Sequence, residues 1–123
     1  MPPTIQRKSY DSVTVFWLDK EILQRKIRDA VRALVDSRPE VQEVILFGSV
    51  AQDRAAPGSD VDILIIARTV TGSYLERPAP YLSYFSDLGV GTDVFVYTVD
   101  ESIDDRIPLL RTARASGRVL FER

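Results

Sequence analysis

The sequence contains no cysteine and no histidine among its 123 residues. Without thiols the chain forms no disulfide and no thiolate zinc site. Without imidazole it excludes Ser-His-Asp and Cys-His nucleophilic catalysis and every His-ligated metal. A metal ion bound to this protein must therefore be held by oxygen ligands, which are the ligands that Mg²⁺, Mn²⁺ and Ca²⁺ prefer.

Long apolar runs and an excess of positive charge are also missing. No segment approaches the roughly 20 apolar residues of a membrane span, and a net charge of −2 makes direct binding of nucleic acid an unexpected function. Residues 1–8 lack the apolar core of a signal peptide, so a cytoplasmic location is expected. The length suits one domain over residues 1–123, with residues 1–12 as a polar and partly flexible N-terminal segment.

The pattern of apolar residues predicts alternating helices and strands, and hence an α/β (α+β) layer structure. Asp19 is predicted to cap a helix that Pro39 ends. Further helices are predicted over residues 78–88 and 107–115, with a short one capped by Asp100. Strands are predicted over residues 12–18, 44–47, 61–67, 93–98 and 119–121. The segment 61–67 is almost wholly apolar, which is typical of a central strand covered on both faces.

Two carboxylates open that central strand. Residues at i and i+2 of a strand point to the same face, so Asp60 and Asp62 are expected side by side. Their charges repel unless a cation lies between them, and a divalent metal ion meets that need. Taken alone, an Asp-x-Asp pair is more often a capping residue with a solvated neighbour at a turn.

Gly48-Ser49 ends the preceding strand. A glycine there permits a sharp turn and the close approach of a ligand to the backbone. A helical turn starting at Ser49 would present its free N–H groups and its hydroxyl to a phosphate. The alternative is an ordinary strand-to-helix turn with Ser49 as the N-cap.

Asp93 opens the strand over residues 93–98, although aspartate is a poor strand former. If this strand neighbours residues 61–67, Asp93 reaches the face of Asp60 and Asp62. Three carboxylates and triphosphate oxygens would then hold two Mg²⁺ ions about 3.5–4 Å apart, the arrangement of in-line phosphoryl chemistry. The alternative is a turn residue that leads into the strand.

Together, Gly48-Ser49, Asp60-x-Asp62 ten residues later and the strand residue Asp93 resemble the signature of the DNA polymerase beta-like nucleotidyltransferase superfamily. The chain is most similar to its minimal nucleotidyltransferases (MNT proteins). The resemblance implies a nucleotidyltransferase fold, with a short mixed β-sheet flanked by helices. It also implies triphosphate binding by Gly48 and Ser49, with Asp60, Asp62 and Asp93 as catalytic and metal-binding residues and Asp93 helping to deprotonate the acceptor hydroxyl. The implied cofactor is Mg²⁺ or Mn²⁺, and the implied substrate is a nucleoside triphosphate, foremost ATP.

One departure from this family concerns the turn after Ser49. Family members often continue with Arg-Ala-Arg-Gly, whereas Val50, Gln52 and Asp53 stand here in place of the two arginines and the glycine. Arg54 is a candidate replacement for the lost charge. The resemblance implies metal-dependent transfer of a nucleotidyl group, AMP from ATP foremost, to a hydroxyl acceptor. The departure keeps an alternative open, a non-catalytic module that neutralises a partner by contact. A third function, small-molecule modification of an aminoglycoside type, is disfavoured because such enzymes build the acceptor site from a second domain.

The short chain leaves almost no room for an acceptor-binding domain, so acceptor recognition is expected from a partner or from a second copy in a homo-oligomer. MNT proteins are often encoded beside a helical HEPN protein, and the resemblance implies an antitoxin that transfers AMP to a Tyr of that toxin. Residues 74–85 are rich in aromatic side chains. They are interpreted either as a partner surface or as a core-facing helix with one or two exposed tyrosines.

Overall fold

The computed structural model describes residues 2–123 and contains a four-stranded sheet and a separate two-stranded hairpin. The strands are β1 (Ile5–Tyr10), β2 (Val13–Leu18), β3 (Val41–Phe47), β4 (Val61–Ala67), β5 (Thr92–Thr98) and β6 (Arg118–Glu122). The helices are α1 (Lys20–Ser37), α2 (Gly48–Ala51), α3 (Ala79–Leu82), α4 (Val99–Ser102) and α5 (Pro108–Ser116), with 3₁₀ turns at Tyr74–Glu76 and Ser83–Phe85.

The four-stranded sheet has the order β5-β4-β3-β6 and is mixed. β4 and β5 run parallel, whereas β3 is antiparallel to both of its neighbours. Helices flank this sheet, so the predicted fold class is confirmed. Every residue of β4 except Asp62 is buried, as the apolar pattern of residues 61–67 predicts for a central strand.

The two faces of the sheet are covered by different helices. Ile63 belongs to the core cluster that includes Leu23, Ile27 and Leu34 of α1. Leu64 packs in a second cluster with Leu110 and Ala113 of α5. Because side chains alternate along a strand, Asp62 shares the face of Leu64. The carboxylate therefore lies on the face that α5 covers.

Helix α1 begins and ends where the sequence predicts. The Asp19 side chain accepts a hydrogen bond from the backbone N–H of Ile22 at 3.1 Å, which makes Asp19 the N-cap. The helix stops at Ser37 with Arg38 as its C-cap. Pro39 follows, and its ring disfavours the helical conformation at the residue before it.

The prediction of one continuous helix over residues 78–88 is wrong. Only Ala79–Leu82 is α-helical, and a 3₁₀ turn follows. Pro78 and Pro80 supply no backbone N–H, and Ser86 Oγ donates to the carbonyl of Ser83 at 2.9 Å, a local bond that competes with a helical one.

The aromatic residues of 74–85 divide between core and surface. Tyr81 and Phe85 are buried in the core, as the core-facing interpretation predicts. Tyr74, Leu75 and Leu82 are exposed, and Tyr74 stacks obliquely on Tyr97.

The cap predicted at Asp100 is also wrong. Thr98 is the N-cap of α4, because its side chain accepts from the N–H of Glu101 while the Glu101 carboxylate accepts from the N–H of Thr98. This reciprocal capping box satisfies two helix-terminal donors at once, which a lone Asp100 side chain does not do.

The N-terminal segment contains a strand that its polar composition did not predict. β1 pairs with β2 from Ile5 opposite Leu18 to Tyr10 opposite Val13. An exposed two-stranded ribbon has no core face to fill, so charged residues such as Arg7 and Lys8 do not prevent the strand. Met1, the first residue of this segment, lies outside the described residues. Within residues 2–123, no helix combines the length and the apolar character needed to cross a membrane.

Candidate functional site

The predicted carboxylates meet at one end of the central sheet. In the parallel pair of β4 and β5, Asp62 lies opposite Asp93, so the two side chains share the face that α5 covers further along. The antiparallel pair of β3 and β4 sets Phe47 opposite Asp62. Gly48 therefore follows directly beside Asp62, and the end of β3 borders the acidic cluster on its other side.

This cluster is an uncompensated patch of negative charge. Asp62 is half-buried, whereas Asp60 and Asp93 are exposed. Burial raises the pKa of Asp62 above its usual value, and the charges of Asp93 and then Asp60 raise it further. The ion pairs formed among residues 2–123 involve none of these three carboxylates.

Two glycines leave room for these acids. Gly48 has a φ of +78°, and a Cβ added to it would lie 3.1 Å from Cγ of Asp62 and closer still to its Oδ2. A Cβ at Gly91 would lie 3.4 Å from Cγ of Asp60 and would overlap its Oδ1. Neither position accepts a side chain without moving a carboxylate, and Gly48 also needs a backbone conformation that favours glycine. Gly91 was not predicted as a site residue, although its position two residues before Asp93 could have indicated that it lies near the site.

Ser49 lies in the first turn of α2 and is half-buried. The N-cap of this turn is Phe47, which makes no side-chain capping bond, so the interpretation of Ser49 as an N-cap is wrong. The N–H groups of a first helical turn have no carbonyl of the helix to bind. They stand next to Asp62, at the point where the resemblance expects a triphosphate.

The chemistry of this cluster fits a hard divalent cation. Across residues 2–123, no three acidic side chains are arranged to hold a metal ion as they stand. Yet Asp62 lies opposite Asp93 in the strand register. Burial raises the pKa of Asp62, and the charges of Asp93 and Asp60 raise it further. Carboxylate oxygens are the ligands that Mg²⁺ and Mn²⁺ prefer.

Four arginines were considered as phosphate contacts, and each has other neighbours in the structure. Arg54 is exposed and donates to Oε1 of Gln52. Arg68 follows the far end of β4 and donates to the carbonyl of Pro39. Arg114 forms an ion pair of 2.7 Å with Glu43, whose carboxylate is nearly buried. Arg111 lines a different cavity, next to Ile103.

A basic cavity of about 550 Å³ lies beside α1 and α2. Its cations are Lys20, Arg25, Arg28 and Arg118. The sequence indicates a solvated basic face of α1, and the structure shows that this face borders a cavity. None of the three carboxylates of the acidic cluster lines this cavity, although Val50 and Ala51 of α2 do.

Comparison with known proteins gives the family. A family model described as a nucleotidyltransferase domain matches residues 24–107, more than half of the chain. The chain belongs to this nucleotidyltransferase family. The match includes Gly48, Ser49 and all three carboxylates of the cluster, so the resemblance drawn from these residues is confirmed at the level of the family.

Solved structures of nucleotidyltransferases share the fold. A putative nucleotidyltransferase from Sulfolobus solfataricus is 22% identical with a TM-score of 0.60, over 85% of this chain and 84% of that one. A toxin–antitoxin structure with AMP-PNP is 22% identical with a TM-score of 0.61, over 81% of this chain and 73% of that one.

A toxin–antitoxin structure named MntA–HpeT, carrying two aspartate-to-glutamate changes two residues apart, is 20% identical with a TM-score of 0.54, over 86% of this chain and 75% of that one. At this level of identity the likeness shows the fold. No curated protein matches the sequence.

Proposed function

We propose that this chain is a metal-dependent nucleotidyltransferase that transfers a nucleotidyl group, AMP from ATP foremost, to a hydroxyl of a partner protein. Asp60, Asp62 and Asp93 are the proposed metal ligands and catalytic residues. Gly48 and Ser49 are the proposed binding site for the triphosphate. The observation that carries the proposal is the meeting of these residues at one end of β4 in a chain of the nucleotidyltransferase family.

The acidic cluster supports a metal site because its three carboxylates have no cationic partner among the ion pairs of residues 2–123. Burial raises the pKa of Asp62, and the charges of Asp93 and then Asp60 raise it further. A bound divalent ion, when present, would neutralise this charge and the charge that develops on the α-phosphate and the leaving pyrophosphate. Asp60 and Asp62 would hold it at the start of β4, and Asp93 would complete the oxygen ligands from β5.

In the proposed reaction the acceptor hydroxyl oxygen forms a bond to the α-phosphorus, and the bond between the α-phosphorus and the bridging oxygen to the β-phosphate breaks. Pyrophosphate leaves with that electron pair. The hydroxyl proton moves to a carboxylate oxygen of Asp93, an exposed member of the cluster. The first-turn N–H groups of α2 and the Ser49 hydroxyl bind the triphosphate oxygens on the Gly48 side.

A protein acceptor is favoured by the fold neighbours. Two of them are toxin–antitoxin structures, one of which contains AMP-PNP, an analogue of ATP. The other carries two aspartate changes at the spacing of Asp60 and Asp62. We therefore propose a HEPN-type helical toxin as partner, a Tyr of that toxin as acceptor and an antitoxin role for this chain.

The alternative is neutralisation of a partner by contact alone. Its support is the turn after Ser49, where Val50 and Gln52 stand in place of the arginines and the Arg54 side chain donates to Gln52. Under this alternative, the acidic cluster would have no part in inhibiting the partner.

Labelled ATP separates the two functions. The protein is incubated with α-³²P-labelled ATP, Mg²⁺ and a HEPN-type protein encoded beside it, and label on the partner is followed by gel. We expect labelled partner with the native protein and none with Asp60→Asn/Asp62→Asn. Inhibition of the partner that survives the double substitution, without label in either case, would favour the contact module.

A further inference from the structure

A cavity beside the acidic cluster is formed in part by the N-terminal hairpin. It has a volume of about 420 Å³ and opens next to Asp60. Ile5 of β1 and Phe16 of β2 form one wall, and Val90 and Gly91 of the loop before β5 form another. Gly91 is also the glycine whose missing side chain leaves room for the Asp60 carboxylate.

The hairpin is held in this place by its base. Thr4 is buried, and its hydroxyl donates to the carbonyl of Leu88. The N–H of Asp19, which follows β2 at the same base, donates to the carbonyl of Thr4 at 2.8 Å. Cβ of Thr4 lies 2.9 Å from where a Cβ of Gly89 would be. The hairpin base and the loop that leads to Gly91 are therefore packed together without a gap.

The hairpin has two different faces. In the antiparallel register Phe16 lies opposite Arg7, and Trp17 lies opposite Gln6. Directly opposed residues share a face and successive residues alternate. Phe16 therefore points to the cavity side with Ile5, whereas Trp17 points to the other side with Val15 and Tyr10. This alternation offers a matched control within one strand.

The residues that line the cavity favour an uncharged occupant over phosphate. Asp60 is the one charged residue among them. Arg7 shares the Phe16 face of the hairpin but is exposed and does not line the cavity. A triphosphate needs donors and positive charge, and the carboxylate would repel it. Apolar and aromatic walls with a carboxylate at the rim suit an uncharged ring.

The position of the cavity distinguishes acceptor from nucleotide. The proposed triphosphate turn, Gly48-Ser49, follows β3, and β3 and β5 lie on opposite sides of β4. The cavity is lined by residues 89–91, which lead into β5 and to Asp93, the proposed proton acceptor. It thus lies on the side of the cluster from which the acceptor hydroxyl must approach.

We infer that the hairpin is the acceptor-binding element of this protein, and that the cavity takes an uncharged aromatic ring of the acceptor, with Phe16 and Ile5 as positioning residues. This inference rests on the proposed function. The hairpin lies before residues 24–107, the part that the nucleotidyltransferase family model matches. The proposed acceptor site then includes residues outside the range that the family model matches.

Methyl-detected NMR on the full chain tests the inference with N-acetyl-L-tyrosinamide as the probe and N-acetyl-L-serinamide as its ringless control. We expect the tyrosinamide, at millimolar concentration, to shift the methyl signals of Ile5 and Val90, and the serinamide to leave them unchanged. Phe16→Ala should weaken the binding of the tyrosinamide at least fivefold. Phe16→Leu, which keeps an apolar wall without a ring, should weaken this binding less. Trp17→Ala, on the opposite face, should change it less than twofold.

The affinity for ATP with Mg²⁺, measured by calorimetry on the same variants, separates this inference from the proposed function. We expect Phe16→Ala to change it less than twofold. Cross-strand amide contacts between β1 and β2 show whether the hairpin persists in each variant. Methyl shifts produced by adenosine and not by tyrosinamide would overturn the inference in favour of a nucleobase site. Equal losses of tyrosinamide binding in Phe16→Ala and Trp17→Ala would also overturn it. Native protein that binds tyrosinamide but no ATP would instead refute the proposed function and, with it, the acceptor role of the cavity.

Discussion

The acidic end of the β4–β5 pair and the N-terminal hairpin border the same cavity but are built in opposite ways. β4 is buried on both faces between α1 and α5, and its register fixes Asp62 opposite Asp93. The hairpin packs mainly on itself and leaves Phe16 and Trp17 about half exposed. An isolated two-stranded ribbon is marginally stable in water, so its order depends on the anchor at Thr4.

This difference separates chemistry from recognition. The carboxylates that must meet stand at the start of the paired strands β4 and β5 of the central sheet, where β4 is buried. The element proposed to receive the acceptor stands at the edge, where it can change without disturbing the core. A substitution in one region is therefore expected to leave the other region largely unchanged.

The largest effect is expected from Asp60→Asn/Asp62→Asn. Nucleotidyl transfer should fall by at least about 100-fold, since the change removes the proposed ligands that stabilise charge in the transition state. The melting temperature should stay equal or rise, because the repulsion among the three carboxylates is relieved. Asp100→Asn, an exposed change in α4, serves as control and should leave transfer rates unaltered. A double variant with native transfer rates would remove the carboxylates from the mechanism.

A core truncation in β4 should cost far more stability than a matched one in the hairpin. Ile65 is fully buried, and Ile65→Ala should lower the free energy of unfolding by about 2–5 kcal/mol. Val15 is 45% exposed, and Val15→Ala should lower it by less than about 1 kcal/mol. Urea denaturation measures both. Similar losses would mean that the hairpin belongs to the same cooperative unit as the sheet.

How much of this contrast could be predicted from the sequence depends on the range of the interactions. Strand β4 and the cap at Asp19 follow from local pattern. The spacing of Asp60 and Asp62, in a chain without histidine or cysteine, predicts an oxygen-ligand metal site. The break in the helix after Leu82 depends on Pro80 and on hydroxyl bonds that periodicity does not register.

The hairpin illustrates what was out of reach. Its charged first strand has no apolar alternation, and the bond from Thr4 to Leu88 joins residues 84 positions apart. The proximity of Asp93 to Asp62 could be stated only as a condition, because the sequence does not fix which strands are neighbours. The packing of Gly91 against Asp60 depends on that same pairing.

Gly48→Ala should affect both stability and the site. A left-handed φ and the overlap with Asp62 should together lower the free energy of unfolding by about 1–2 kcal/mol or more. The displaced carboxylate should also weaken metal-dependent nucleotide binding. Gly58 has a φ of +96° and nothing within 4 Å of an added Cβ, so Gly58→Ala has the strain without the collision. Equal loss of nucleotide binding in both variants would show that the contact with Asp62 is irrelevant.

The smallest effect is expected from Thr4→Val. Loss of the hydroxyl leaves the buried carbonyl of Leu88 without its donor, at a cost of about 1 kcal/mol. Amide hydrogen exchange in β1 and β2 should become roughly fivefold faster, while exchange in β4 stays unchanged. Thr14→Val removes the exposed Ser9–Thr14 contact of 3.1 Å and should have less effect. Faster exchange throughout the sheet would contradict the separation of the two regions.

Calorimetric titration of the native protein with ATP tests the central claim most directly. Run with Mg²⁺ and again with EDTA, it should show binding at millimolar or lower concentration only when the metal is present. The same titration of Asp60→Asn/Asp62→Asn should show none under either condition. ATP binding that persists in EDTA or in the double variant, or the absence of any binding by the native protein with Mg²⁺, would contradict the assignment of this acidic cluster as the metal and nucleotide site.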